Sequence, residues 1–428
     1  MNRKSFLRGL GAGALGLAGG AGLRGQSPTA SPASGPRALP PAGDPRFWQA
    51  VKASFAIEPG LTYFNTGGLG PASLPVRREV DRVQEHLQDT VSSGHGLLNQ
   101  ARPVAAAFVG AEVDEIAFTR NATESNGIIA GGLSLKPGDE VIFESHAHPG
   151  GSFSWLLQAR LRGICVKVFE PDPHDPAGNL AAIEALATPR TRVVQVSHVT
   201  APTGIHLPVR EIAALCRRRG WWFHVDGAQT LGMFPFSLHD LGVDSYASSG
   251  HKWLCGPHET GLLYIRRDRL EDVAPIVAGA YTADLERLPG ELELTEGAAR
   301  HEYGTRNAAL VAGFEKAIAF QQTIGPERIA DRGLALADRF LAGLDALPEV
   351  EVLSPREPSL RSPMVALRSP RIGYRELFGE LLGRHRLRCR PVSEQGLDAL
   401  RVSFHFFNTA EEVDTLLGAL EEILREAA

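Results

Sequence analysis

The sequence has little cysteine, little lysine and no long apolar run. Its four cysteines, Cys165, Cys216, Cys255 and Cys389, include no CxxC pair, which argues against a disulfide framework and against a zinc site. We expect them to be packed as small buried hydrophobic side chains. No segment reaches 18 consecutive apolar residues, so we expect no membrane-spanning helix.

The composition is that of a globular chain without a strongly basic surface. The 428 residues are 43% hydrophobic and 22% charged, with a net charge of −5. A partner such as nucleic acid or an anionic membrane needs a basic face, so neither is expected. The length suits two domains that share an interface.

The first 45 residues differ in character from the rest. Residues 1–26, "MNRKSFLRGLGAGALGLAGGAGLRGQ", combine a basic start with a Gly- and Ala-rich apolar run, which predicts an export signal. "NRKSFLR" resembles a twin-arginine motif with Lys4 in place of the second arginine, so we expect a periplasmic protein, or a cytoplasmic one if the signal is not functional. Residues 27–45 predict a Pro/Ala/Ser linker. The GxGxxG within the run follows no strand, which argues against a nicotinamide dehydrogenase.

Beyond residue 45, short apolar runs alternate with helical patterns. "EIAFTR", "DEVIFES", "GICVKVFE", "TRVVQVSHV" and "WWFHVDG" read as strands with helices between them. This alternation predicts an α/β fold with a mostly parallel sheet. "TGLLYIRRD" follows too soon for a crossover helix and is expected to run antiparallel. We predict a large domain over residues 46–310 and a smaller C-terminal α+β domain over residues 311–428.

Polar residues follow several of these predicted strands, where ligands bind in open α/β sheets. "RNATES" lies between a strand and a helix, so Asn121 or Thr123 could cap the helix, or its free N–H groups could bind a phosphate. Asp226 ends "HVD" and could be a cap or could pair with a cationic ligand nitrogen. His146 and His148 in "ESHAHPGG" lack the further ligands of a metal site, so we expect no metal there.

Lys252 in "ASSGHKWLCG" is one of only six lysines among 44 basic residues. A primary amine forms a Schiff base with an aldehyde, which a guanidinium does not do. A phosphate site, a buried aspartate and a reactive lysine are together the requirements of pyridoxal 5′-phosphate. A surface lysine remains the alternative, although the small and apolar neighbours of Lys252 argue against it.

The pair "HVDGAQ" and "SSGHKW" resembles the class V aminotransferase family, which has the fold type I architecture and includes cysteine desulfurases and isopenicillin N epimerase. The resemblance implies a large domain with a seven-stranded, mostly parallel sheet covered by helices. It implies that Asp226 binds the pyridine nitrogen and that Lys252 carries the cofactor as a Schiff base. It further implies other cofactor contacts, from Gln229, Ser249, His251, and Ala122 and Thr123 of "ATES".

Other segments match the family less closely. "EYGTRN" resembles the segment that reaches the phosphate across a subunit interface, which implies a homodimer with Thr305 contributed by the partner. His148 is preferred to His146 as the ring that stacks on the cofactor, because of its distance along the chain from Thr123. "LRVSFHFFNTAEE" nominates Arg401 for the substrate carboxylate, and "YFNTGGLGP" nominates Asn65 for the substrate pocket.

Departures from the family pattern concern the reaction. Desulfurases need a cysteine in a mobile loop, whereas Cys389 lies in a strand-like run, and Ala201 stands where they place asparagine. "PTG" and "GTRN" look closer to the isopenicillin-N-epimerase-like branch. We therefore predict a pyridoxal phosphate enzyme for an amino acid or amine, acting as a transaminase or epimerase.

Two other functions remain open from the sequence. A cysteine desulfurase or C–S lyase would use the same cofactor residues, and a non-catalytic protein could retain the fold for binding. The sequence does not identify the substrate, whose pocket we expect to be shaped by residues 275–300.

Overall fold

The computed structural model describes residues 39–284 and 290–427. The predicted export signal and residues 27–38 of the predicted linker lie outside these residues. Within the described ranges, no helix is both long and apolar enough to cross a membrane.

The helices follow the predicted alternation, and three further helices precede the first strand of the large sheet. In chain order they are α1 (Phe47–Ala53), α2 (Leu74–Asp89), α3 (Gly96–Val109), α4 (Ala122–Gly132), α5 (Pro149–Arg162), α6 (Pro176–Leu186), α7 (Val209–Arg219), α8 (Leu238–Leu241), α9 (Ala308–Ile324), α10 (Pro326–Leu344), α11 (Tyr374–Gly383) and α12 (Ala410–Glu426).

The strands form one large sheet and several smaller ones. In chain order they are β1 (Thr62–Tyr63), β2 (Ile116–Thr119), β3 (Glu140–Glu144), β4 (Cys165–Phe169), β5 (Thr191–Ser197), β6 (Trp222–Asp226), β7 (Ser245–Ser249), β8 (Gly261–Ile265), β9 (Ala283–Asp284), β10 (Glu293–Leu294), β11 (Glu351–Val352), β12 (Met364–Arg368), β13 (Leu387–Arg388), β14 (Arg390–Val392) and β15 (Ala399–Ser403).

The large sheet has seven strands in the order β2-β8-β7-β6-β5-β3-β4. Strands β4, β3, β5, β6 and β7 are parallel to one another, and β8 runs antiparallel to β7 and β2. The predicted α/β architecture and the antiparallel strand are both confirmed. Five of these strands are buried along their whole length, as expected for a sheet covered on both faces.

Separate apolar clusters lie on the two faces of this sheet. One includes Ile142, Val194 and Phe223, and the other includes Val141, Val193 and Trp222, so neighbouring residues of one strand serve opposite faces. Helix α9 contributes Phe314 to the first cluster. The domain boundary at residue 310 stays a prediction.

The C-terminal part contains a four-stranded antiparallel sheet in the order β11-β12-β15-β14. Helices α10, α11 and α12 cover it, and Phe340, Leu381 and Leu420 belong to its own apolar cluster. The N-terminal segment joins this part, since β1 pairs in parallel with β13 and Asn65 bridges to Ser403. The segment "YFNTGGLGP", which was predicted to line the substrate pocket, therefore lies beside Arg401.

The expectation for the cysteines is correct in three cases. Cys216, Cys255 and Cys389 are buried, whereas Cys165 is exposed. The prediction for Cys165 is wrong because this residue begins β4, an edge strand of the large sheet.

Candidate functional site

A cleft of about 260 Å³ lies where β6 and β7 end. It brings together most of the residues that the sequence nominated: Ala122, Thr123, His148, Asp226, Gln229, Ser249, His251, Lys252 and Arg401. Their positions span almost 280 residues of the chain, and the crossover connections of a parallel sheet place them at one edge. The structure therefore assembles the predicted site, while the role of each residue stays a prediction.

Asp226 is the last residue of β6 and is 5% exposed. Its Oδ1 accepts a hydrogen bond from the Ala228 backbone N–H at 3.0 Å, and its Oδ2 accepts one from Asn126 Nδ2 at 3.0 Å. These bonds fix the carboxylate at the wall of the cleft. A cationic ring nitrogen would supply the charge partner that a buried carboxylate requires.

Lys252 follows β7 in the turn after His251. The residue is half-buried at the cleft. Desolvation lowers the pKa of Lys252 to about 8, with Asp226 opposing this shift and Arg401 and Arg390 reinforcing it. The neutral amine is therefore available near physiological pH, as nucleophilic and base catalysis require. Of the other lysines, Lys52 and Lys167 form ion pairs with glutamates.

The turn before α4 offers an anion site. Asn121 caps the helix by accepting from the Glu124 N–H at 2.9 Å, and the Ala122 N–H donates to Ser249 Oγ at 3.1 Å. Burial, with Lys252 and His258 adding to it, lowers the pKa of His251 to about 4. Its Nδ1 is buried without a protein partner. The N–H groups of Ala122 and Glu124 are already bonded, so the Thr123 N–H and the His251 ring are the groups left for a phosphate at this helix N-terminus.

The structure separates the two candidate histidines. His148 lines the cleft as the N-terminal cap of α5, with Nδ1 accepting from the Gly150 N–H at 3.0 Å. His146 points elsewhere, to Thr203 Oγ1 at 2.9 Å and towards Glu170 at 3.2 Å. Of the two, only His148 is placed to face a cofactor in this cleft.

Arg401 is 1% exposed and is held by two contacts. Its Nη1 donates to the Ala201 carbonyl at 2.6 Å, and its Nη2 donates to Asn65 Oδ1 at 2.9 Å. Asn65 thus lies behind the arginine, not in the lining of the cleft. The Nε of Arg401 is buried without a partner and remains available to a carboxylate.

Two nominated residues have other surroundings. Gln229 donates from Nε2 to the Gly67 carbonyl at 2.9 Å and accepts at Oε1 from Trp253 Nε1 at 2.8 Å, so its side chain braces the cleft wall. Thr305 lies in a different pocket of about 180 Å³, together with Arg120, Tyr303 and Arg306. A role for Thr305 in the cleft of its own chain is therefore not supported.

Sequence reasoning missed Arg390 and Asn126, which also line the cleft. Arg390 stands on β14 directly opposite Arg401 on β15 and pairs with Glu394. Its position in "LRCRPV" could have been noticed only if the two strands had been paired in advance. Asn126 is a polar residue on the buried face of α4, and this exception to the helical pattern was a usable signal.

The residues present fit pyridoxal phosphate. The cleft offers a carboxylate for the ring nitrogen, an imidazole for the ring face, a helix N-terminus with an unpartnered His251 nitrogen for the phosphate, and the amine of Lys252. Gly70 permits this arrangement, because a Cβ there would lie 1.8 Å from the Lys252 carbonyl oxygen.

Comparison with known proteins agrees with this fit. Isopenicillin N epimerase of Streptomyces clavuligerus is 31% identical over 393 residues, which cover 89% of this chain and 99% of the epimerase. Apo cysteine desulfurase of Thermococcus onnurineus NA1 superposes with a TM-score of 0.80 at 27% identity, covering 88% of this chain and 98% of that one.

A structure of C-DES with glycine covalently linked to its pyridoxal phosphate has a TM-score of 0.78 at 28% identity, covering 86% of this chain and 98% of that one. These neighbours confirm the predicted fold type, and pyridoxal phosphate is the expected cofactor, in agreement with the sequence. The model of the aminotransferase class V family matches residues 78–416. The chain belongs to the aminotransferase class V family.

Proposed function

We propose that the protein uses pyridoxal phosphate to transform the α-carbon of an amino acid, by transamination or epimerisation. The observation that carries the proposal is the presence of Lys252 in one cleft with Arg401 and Arg390. The guanidinium groups offer a site for the substrate carboxylate, and Lys252 supplies an amine in the same cleft.

Pyridoxal phosphate, when bound, supplies an electron-withdrawing ring that makes the substrate α-proton more acidic. Lys252 Nζ would accept that proton, since desolvation lowers the pKa of its amine to about 8 and leaves part of it neutral at physiological pH. Arg401 would bind the carboxylate and fix which bond of the α-carbon faces Lys252. Asp226 would hold the ring nitrogen, and His148 would cover the ring.

Desulfuration by an enzyme thiol is not supported. Cys389 is 1% exposed between β13 and β14, and burial raises the pKa of its thiol to about 12. Among the residues that line the cleft there is no cysteine. A thiol that stays protonated and buried is a poor nucleophile. A C–S lyase needs no such thiol and is therefore an outcome that the following experiment must separate.

The test mixes the holoenzyme with single enantiomers of amino acids in D₂O. Transamination gives a keto acid and the amine form of the cofactor, and epimerisation gives the deuterated opposite enantiomer. A lyase gives pyruvate and ammonia, together with sulfide from cysteine or cysteine persulfide from cystine. Inverted product, or keto acid formed together with the amine form of the cofactor, supports the proposal if it depends on Lys252. Pyruvate and ammonia with sulfide or persulfide as the sole products contradict it.

We also propose a homodimer in which Thr305 reaches the cleft of the partner subunit. Thr305 lies outside the cleft of its own chain, and α5 exposes an apolar stripe at helical spacing. Phe153, Leu157 and Leu161 on that stripe are 62%, 51% and 67% exposed. Exposed apolar stripes of this kind mark association surfaces, and a second copy of the chain is the proposed occupant.

Mixing inactive variants tests the shared site. A Lys252→Ala subunit paired with a Thr305→Ala subunit should form one complete site, in which Lys252 and Thr305 come from different chains. Partial recovery of turnover is expected after the subunits exchange. Verified exchange without recovery would show that Thr305 is not shared.

We propose finally that residues 1–26 direct export to the periplasm and that residues 27–45 form a linker. The basic start and apolar run of the sequence support this. Cell fractionation of the full chain, beside a variant with Arg3→Gln and Lys4→Gln, is the test. Periplasmic wild type and retained variant are expected, and equal cytoplasmic distribution of both contradicts export.

A further inference from the structure

Four buried polar side chains extend from Asp226 through the large sheet. Asn126 Nδ2 lies 3.0 Å from Asp226 Oδ2, and Asn126 Oδ1 lies 2.8 Å from His224 Nε2. His224 Nδ1 lies 2.8 Å from Ser245 Oγ, which is 2.9 Å from Trp222 Nε1. All are at most 5% exposed, so water does not compete for these bonds.

The direction of the hydrogen bonds is fixed at the Asp226 end. Asn126 Nδ2 faces two acceptors, the carboxylate of Asp226 and the Gly150 carbonyl at 3.2 Å. The opposite amide orientation would place an oxygen against both, so the nitrogen must face them. Asn126 Oδ1 therefore faces His224, whose Nε2 must carry the proton.

The other end agrees with this direction. The indole N–H of Trp222 only donates, so Ser245 Oγ accepts from it. Because His224 Nε2 holds the proton, Nδ1 is an acceptor, and Ser245 Oγ donates its own hydrogen to it. Burial lowers the pKa of His224 to about 4, so the ring stays neutral and the direction persists at physiological pH.

We propose that Trp222, Ser245, His224 and Asn126 form a one-way donor chain that orients the Asp226 carboxylate towards the cofactor's ring nitrogen and stabilises its contact with that nitrogen. Every bond in the chain donates towards the carboxylate. Asp226 Oδ1 accepts from the Ala228 N–H as well, so both oxygens act as acceptors. These four are positioning residues, because only Asp226 would touch the cofactor, and the inference rests on that proposed contact.

The test measures the ring nitrogen directly, without turnover. Holoenzyme is prepared with pyridoxal phosphate labelled with ¹⁵N, and the nitrogen chemical shift is compared between variants. His224→Phe removes the donor to Asn126, and His224→Gln supplies an N–H in its place. His198→Phe is the matched control, since His198 is also buried and bonds to Tyr246 at 2.8 Å, outside the chain.

The expected result is a shift towards the unprotonated pyridine in His224→Phe and in Asn126→Leu, with cofactor affinity weaker by about tenfold, as for loss of one hydrogen bond to a charged group. His224→Gln should return the nitrogen chemical shift most of the way to the wild-type value. His198→Phe should leave the nitrogen chemical shift at the wild-type value. Ser245→Ala is the milder variant if His224→Phe does not fold, and it should give a smaller shift of the same sign.

An unchanged nitrogen shift in folded, cofactor-bound His224→Phe or Ser245→Ala, or an equal change in His198→Phe, would overturn the inference. The variant Asp226→Asn distinguishes a failure of the donor chain from a failure of the proposed contact between Asp226 and the ring nitrogen. If Asp226→Asn also leaves the nitrogen shift unchanged, then the proposed contact between Asp226 and the ring is wrong, whatever the chain does.

Discussion

Arg390 and Arg401 stand opposite each other on adjacent antiparallel strands, and both side chains line the cleft that contains Lys252. Directly opposed like charges destabilise a sheet. Burial, reinforced by Arg390, also lowers the pKa of Arg401, although a guanidinium remains charged. Glu394 partly offsets this pair through its ion pair with Arg390, and an anionic substrate group is the expected further partner.

The first prediction concerns these arginines. Arg401→Gln should raise KM for an amino acid by about 100-fold and Arg390→Gln by about 10-fold, with smaller changes in kcat, because charge-assisted bonds to the carboxylate are lost. Steady-state kinetics of the two variants and of the surface variant Arg356→Gln measures this. An equal fall in kcat with unchanged KM would contradict carboxylate binding.

The second prediction concerns pH and loading of the apoenzyme. Pyridoxal phosphate reacts with the neutral amine, so its rate of incorporation should fall about tenfold for each pH unit below the pKa of Lys252, which burial lowers to about 8. Above that pH the rate should level off. Stopped-flow absorbance of reconstitution checks this, and a rate that still rises steeply towards pH 10 would show an ordinary lysine.

The third prediction uses a close approach of the backbone. A Cβ at position 70 would lie 1.8 Å from the Lys252 carbonyl oxygen, and the Gly70 N–H donates to the His251 carbonyl at 2.7 Å. Gly70→Ala should therefore displace Lys252 and reduce cofactor binding by at least tenfold. Gly379→Ala is the control, since a Cβ there meets no atom within 4 Å, and it should leave binding unchanged. Equal cofactor affinities for the two variants would contradict the account.

The fourth prediction separates structure from chemistry at Cys389. Because its thiol is buried in the apolar cluster of the small sheet, Cys389→Ala should lower the free energy of unfolding by about 1 kcal/mol and leave kcat within about twofold. Denaturant titration and turnover measure the two effects. Loss of turnover in the folded variant would restore the desulfurase hypothesis.

The fifth prediction concerns a buried ion pair beside the Thr305 segment. Glu302 is 2% exposed. Its carboxylate accepts hydrogen bonds from Arg102 Nη1 at 2.7 Å and from the Phe118 N–H at 2.6 Å. Glu302→Gln leaves the buried charge of Arg102 without its carboxylate partner, so the free energy of unfolding should fall by about 3 kcal/mol. Thermal denaturation tests this. The control is Glu351→Gln, which removes one partner of an exposed ion pair. A change below about 1 kcal/mol would contradict it.

The large sheet could be predicted because its strands are continuous apolar runs separated by helices. Strand β7, "SYASS", was not recognised as a strand, because small polar residues carry no β signal, although all five of its residues are buried. Strand β7 lies between β6 and β8, and this position in the fold cannot be seen in the local sequence.

The site was predictable where chemistry and order along the chain coincide, as for Asp226 and Lys252. It was not predictable where two residues that are far apart in the sequence meet only in the folded chain. Asn65 meets Arg401 across 336 positions, and Asn126 meets Asp226 across 100. No local pattern in the sequence encodes either distance. The polar Asn126 in the helical pattern of α4 was a usable signal, whereas Arg390 emerged only from the folded structure.

The central claim is that Lys252 carries the cofactor in the cleft formed by Asp226, His148 and Arg401. Borohydride reduction of the holoenzyme, proteolysis and mass spectrometry of the peptides test it most directly. The account predicts one stoichiometric cofactor adduct on the peptide that contains Lys252, and none in Lys252→Ala. A stoichiometric adduct on another lysine, or no adduct on the wild-type chain, would contradict it.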